Sequence, residues 1–189
     1  MDAFSYLSVL LSIILGLAIT QVLQGYRALL LARERVRLST PALIWSGLVL
    51  LIAAQAWWAS FGLRDREQWD FLSFAVILLQ MGLLYMLAAV IFPDVASHEP
   101  LDLADHFEKH RRAFFGFLIA MLVTSLTKTF VLDHALPSPI DVAFHVLLAF
   151  IAIAGIAWKG ARVQLALAIG AAGGLLAYVA ILFARLGGG

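Results

Sequence analysis

The chain contains no cysteine, and charged residues make up only 13% of it. Without cysteine there is no disulfide, no thiolate zinc site and no cysteine nucleophile. The shortage of charge excludes more. A soluble domain carries about 25% charged and roughly 45–50% apolar residues. With 63% of its 189 residues hydrophobic, this chain could not cover a water-facing surface. The formal net charge is only +1, without the clustered Lys and Arg that nucleic-acid phosphates demand, so no nucleic-acid partner is expected. HExxH, GxSxG, Walker and GxGxxG patterns are all missing. The apolar stretches hold no pair of aspartates, and only His145 lies clearly inside one. The expectation is therefore no enzyme, no cofactor and no resident metal.

What the chain does have is hydrophobic length, with a mean hydropathy of +0.96. A membrane-spanning helix needs about 20 mostly apolar residues. Six stretches qualify: roughly 4–26, 42–63, 71–92, 113–133, 140–158 and 163–184. The fold class expected is all-α, a polytopic bundle of six transmembrane helices forming one integral membrane domain over 1–189. The breaks are chemically sensible. The run Arg33-Glu34-Arg35-Val36-Arg37 and Pro41 separate the first two spans, Arg64-Asp65-Arg66-Glu67 the next two, and Pro137-Ser138-Pro139 the fourth and fifth. Met1-Asp2-Ala3 offers no basic region, and the apolar run from Phe4 is too long for a signal peptide. It reads as a retained span.

Orientation follows from basic residues, which favour the cytoplasmic side. With the N-terminus outside, the inner segments hold Arg27, Arg33, Arg35, Arg37, Lys109, Arg111, Arg112, Lys159 and Arg162; the outer ones hold Arg64, Arg66 and Arg185. Both termini are thus expected outside. Within the longest connection, 94–112, Leu103, Ala104 and Phe107 fall at helical spacing among charges. This predicts a short amphipathic helix on the cytoplasmic interface. There His106 and His110 stand one turn apart, a spacing that could hold a divalent ion, although solvated loop histidines are the commoner case.

Polar residues inside the spans are the other signal, because each is costly in hydrocarbon unless satisfied. Ser5, Ser8, Ser12, Gly16 and Thr20 share one face of the first span, either a packing face or the lining of a solute path. Gln55 and Gln80 lie at matched depth across the hairpin of the second and third spans, which predicts an interhelical hydrogen bond. Gly170 and Gly174 form a small-xxx-small pair expected to serve helix packing or self-association. Lys128 and His145 fall at equal depth on either side of the Pro137–Pro139 turn, with Thr124 and Ser125 one turn deeper than Lys128. Intramembrane charge usually faces a bundle interior or a wet cavity, so these four residues form a candidate polar site, with Lys128 as fixed charge and His145 as titratable group. The plainer reading is a lysine that extends its amine to the headgroups beside a packed histidine.

The opening Phe4-Ser5-Tyr6-Leu7-Ser8-Val9-Leu10-Leu11-Ser12-Ile13-Ile14-Leu15-Gly16-Leu17-Ala18-Ile19-Thr20, together with Gln55-Ala56-Trp57-Trp58, resembles a group of small uncharacterised bacterial inner-membrane proteins. The resemblance covers mainly the first two spans and implies a multi-pass protein of the inner membrane, with no activity to carry over. The lipid bilayer is the partner the composition requires; a second copy or a membrane partner protein is compatible with the glycine pair. Two functional classes follow. One is a small channel or transporter for an ion or solute. The other is a non-catalytic scaffold or accessory subunit acting through partners. A cavity that reaches Lys128 would separate them.

Overall fold

A computed structural model describes residues 3–64, 66, 69–93 and 101–186. In chain order the helices are α1 (Ala3–Leu31), α2 (Thr40–Ala59), α3 (Phe71–Ile91), α4 (Leu103–Asp133), α5 (Pro139–Ala157) and α6 (Ala161–Leu186). All six are long and apolar enough to cross a membrane. Only 22–33% of the most apolar window of each span is buried within the protein. The rest is an outward surface of leucine, isoleucine, valine and phenylalanine, including Ile13, Leu79, Phe150 and Ile169, which is stable only against lipid. The chain is a multi-pass membrane protein.

The helix starts are written locally. Pro139 occupies the first turn of α5 behind Ser138, whose hydroxyl accepts from Asp141 N. Asp70 caps α3 through Ser73 N at 2.6 Å, and Asp102 caps α4 through Ala104 N and Asp105 N at 2.9 Å each. These backbone donors hold both capping carboxyls below the usual aspartate range, Ser73 N–H acting most on Asp70 and Asp105 N–H on Asp102. Gly160, at φ 106°, turns the chain between α5 and α6 in a conformation that a side chain would strain.

The expected interfacial helix is not a separate element. Residues 103–112 are helical but run without a break into the fourth span, because Leu103, Phe107 and Arg111 are buried against the bundle instead of lying on a lipid surface. The residues ahead of it, 94–100, lie outside those described. A feature the hydropathy pattern did not announce is a two-residue parallel pairing of Val36 with Leu101 and Arg37 with Asp102. It ties the α1–α2 connection to the start of α4, and the Arg37–Asp102 ion pair at 3.2 Å closes it.

Neighbouring helices form a ring in the order α1, α3, α4, α5, α6, α2 and back to α1, and α2 also touches α3 and α4 across it. The two ends of this ring differ. At the basic end, where Arg33, Arg35, Arg37 and Lys109 gather, the interior is densely packed. Trp45, Phe107, Phe114 and Phe115 make an aromatic cluster with centroid separations of 5.3 Å for Trp45–Phe115 and Phe114–Phe115, and 5.9 Å for Phe107–Phe114. Gly155 admits the Phe115 ring and Gly25 the Phe92 ring; a Cβ at either glycine would overlap the aromatic carbons. At the hairpin end, with the α2–α3 and α4–α5 turns, the bundle is hollow.

Candidate functional site

A cavity of about 270 Å³ occupies the hairpin half of the bundle, and all six helices contribute to its wall. Its polarity is graded along the membrane normal. Near the hairpin end the lining carries Ser60, Lys128, Thr129, Asp141 and Tyr178. Gln55, Gln80, Ser125 and His145 follow below. The floor is Leu11, Leu15, Leu84, Met121, Leu148 and Leu175. About 10 Å of helix axis separates Lys128 from Met121, and Asp141 from Leu148. Beneath the floor stands the aromatic cluster of the basic half.

Of the expected site residues, the fold brings Lys128, His145 and Ser125 into one wall. Thr124 is elsewhere: it is buried in α4, and its hydroxyl donates to Ala120 O at 2.8 Å. One residue of helical rotation decides this, since neighbours on a helix point about 100° apart. His145 Nδ1 lies 2.7 Å from the Asp141 carbonyl. A carbonyl only accepts, so Nδ1 carries a proton and donates it there.

Asp141 and Tyr178 are the residues that sequence reasoning missed. Tyr178 Oη donates to Asp141 Oδ1 at 2.7 Å, and Ser138 Oγ to Asp141 Oδ2 at 2.8 Å. The Tyr178 ring also stacks on Phe144 at 4.4 Å. The spacing of Asp141 one turn before His145 was a readable hint; the arrival of Tyr178 from α6 was not. Both carboxylate oxygens of Asp141 therefore already accept a hydroxyl. At the end of α4, Asp133 pairs with Arg66 at 3.4 Å, and Arg66 Nη2 donates to Leu132 O. Among the described residues, no carboxylate forms an ion pair with Lys128. The cavity wall thus carries a lysine and a carboxylate that do not form an ion pair with each other.

Gln55 and Gln80 share the wall, but Gln80 Oε1 is buried without a hydrogen-bond partner, so the expected bond to that oxygen is not made. The hydroxyl face of α1 is also corrected. Ser8 and Ser12 donate back to Ser5 O and Ser8 O, and Gly16 and Thr20 face outward. The helix packs instead through Leu7, Leu11, Leu15, Ala18 and Val22, because a four-residue hydroxyl repeat can satisfy itself on its own backbone. Gly174 meets Leu147 of α5, with 2.8 Å from its Cβ position to Leu147 Cδ2; Gly170 lies more loosely over Ile151 at 3.9 Å. This pair is thus in contact with α5 within one chain. His106 Nε2 bonds Val90 O at 3.1 Å and its ring stacks on His110 at 4.3 Å, so the two imidazoles are not splayed around a shared ion.

A second polar centre lies at the basic end. Arg111, expected as a loop charge, is 2% exposed. Its Nη1 donates to Gly155 O and Ile156 O at 2.6 Å each, and its Nε to Glu108 Oε1 at 2.9 Å. From α6, Gln164 Nε2 reaches Gly155 O at 3.2 Å and Trp158 O at 2.7 Å. The last carbonyls of α5, which a helix leaves unpaired, are thus capped by a cation from α4 and an amide from α6.

Compared with protein-family models, with curated proteins and with solved structures, the chain matches none.

Proposed function

We propose that this membrane protein binds a small polar solute in the six-helix cavity and carries it across the bilayer. The observation that supports this reading is the cavity itself: Lys128, Asp141, His145, Gln55 and Gln80 line one hollow, and no ion pair joins Lys128 to a described carboxylate. Burying such groups is costly unless a ligand or water completes their bonding. A subunit that served only as a scaffold would have no use for them. In the same reading the protein resides in a bacterial inner membrane, with the basic end at the cytoplasm and the aromatic cluster of Trp45, Phe114 and Phe115 as the closed inner barrier.

The absence of native cysteine makes the test direct. A Ser125→Cys variant in sealed vesicles of defined orientation is expected to react with a small membrane-impermeant thiol reagent from the hairpin side. Alternating access also requires slower labelling from the basic side. Labelling from the hairpin side alone would reduce the protein to a solute receptor. No labelling from either side would refute solute binding altogether.

A further inference from the structure

We infer that the α5–α6 turn binds the headgroup of an anionic phospholipid, with the acyl chains lying along the outer face of α6. Depth is the first support. α5 has 19 residues, about 28 Å of helix, which matches the roughly 30 Å of hydrocarbon in a bilayer. Trp158, Lys159 and Arg162 therefore stand at the plane of the headgroups. Arg111 meets the last carbonyls of α5, so its neighbour Arg112 lies at that plane too. The pair of Arg37 with Asp102, at the start of α4, stands about 13 Å farther along the helix axis.

Charge is the second support. Trp158 is 62% exposed, and Lys159 and Arg162 are exposed on either side of Gly160. Asp141, at the opposite end of α5, is the last carboxylate in the sequence. The carboxylates that α4 and its cap bring to the basic end are already paired: Asp102 with Arg37, Asp105 with Lys109, and Glu108 with Arg111. Among the described residues, Arg112, Lys159 and Arg162 enter no ion pair. An anion at the membrane surface completes them, and an exposed tryptophan beside them suits the same level.

The turn is also held from within. Arg111 and Gln164, each 2% exposed, bond the backbone at Gly155, Ile156 and Trp158. The outward side chains therefore start from an ordered base, which lowers the entropy lost on binding. Arg111 also offsets the negative end of the α5 dipole, which would otherwise repel an anion.

The outer face of α6 selects a lipid over a soluble phosphate. Arg162, Ala166, Ile169, Gly173 and Leu176 share one exposed face at helical spacing. A Cβ at Gly173 would meet nothing within 4 Å. A phosphate held by the cations thus has an apolar track directly below it for its acyl chains.

The test uses the full chain in detergent, with native mass spectrometry counting lipids retained from equimolar phosphatidylglycerol and phosphatidylcholine of identical acyl chains. Each cation near an anionic headgroup is worth about fivefold in affinity, so phosphatidylglycerol is expected to bind at least about tenfold more tightly. Phosphatidylglycerol with a photoreactive acyl chain is expected to crosslink to α6 and its preceding turn. Equal retention of the two lipids, or crosslinks confined to other segments, would overturn the assignment without any variant. Lys159→Gln combined with Arg162→Gln, checked for unchanged melting and elution, is expected to reduce the preference to about twofold or less. Arg27→Gln combined with Arg33→Gln removes the same charge from α1 and its connection and is expected to leave the preference in place. An equal loss in both double variants would show a response to total charge and would also overturn the site. If glycerol phosphate displaces the lipid at matched concentration, a free phosphate ester is the occupant and the lipid assignment is wrong.

Discussion

Replacing Arg111 with methionine probes the basic half of the bundle most directly, because the change keeps the apolar stem and removes the charge. The arginine makes two bonds of 2.6 Å to the final carbonyls of α5. Hydrogen bonds involving a charged group contribute about 1.5–3 kcal/mol each. Three facts reduce the sum. Gly155 O keeps its bond from Gln164, Glu108 is 39% exposed and can turn to water, and the variant no longer has to desolvate a guanidinium. The expected net loss is about 2–4 kcal/mol, read as a lower midpoint in denaturant unfolding of the detergent-solubilised chain. Exchange at the Trp158 amide, which closes the last turn of α5 on Ala154 O, should quicken in parallel. Glu108→Gln should lose less than about 1 kcal/mol, in keeping with a half-exposed pair. A loss below about 1 kcal/mol for Arg111→Met, or one no larger than for Glu108→Gln, would refute the view that this cation caps α5.

Other outcomes follow from the same geometry. Gly155→Ala should destabilise by about 1–3 kcal/mol or more, since its Cβ overlaps the fully buried Phe115 ring, whereas Gly116→Ala, with nothing within 4 Å, should not; equal melting of the two would show that the cluster yields. Gly174→Ile should lower the melting temperature more than Gly170→Ile, because only the former faces Leu147 at 2.8 Å; the reverse order would place the tighter seam elsewhere. The depressed carboxyl of Asp102 gives stability that is complete above the ordinary aspartate value of 3.8 and is lost as pH falls through its lower folded value. Asp102→Asn, which still caps the helix, should therefore flatten the acid limb of a melting-temperature profile, and an unchanged limb would exclude the effect. Cysteines introduced as Arg35→Cys and Ala135→Cys should label from opposite faces of intact cells, position 135 from outside; labelling from one face would remove the six-span topology.

Much of this protein is determined by its solvent. Residues such as Phe4–Leu31 and Phe71–Ile91 are long enough and apolar enough to cross a bilayer, and a backbone in hydrocarbon must bond to itself as helix. Span number and approximate limits are therefore readable from hydropathy alone, and the caps at Ser138, Asp70 and Pro139 mark where helices start. Depth is readable too, because rise per residue is constant; that is why Lys128 and His145 both fall in the wall of one cavity. Azimuth was not. Hydrophobic residues cover every face of a membrane helix, so the pattern does not say which face turns inward, and Thr124 was placed in a wall that its neighbour Ser125 occupies. The same ambiguity gave the hydroxyl face of α1 a role that Leu11 and Leu15 fill. What only the tertiary structure decided was the ring order of the helices, the meeting of Tyr178 with Asp141, the burial of Arg111 and the hollow that all six helices line. Each depends on helices remote in sequence arriving at one place, and without a soluble face to orient them that choice is made by packing between side chains.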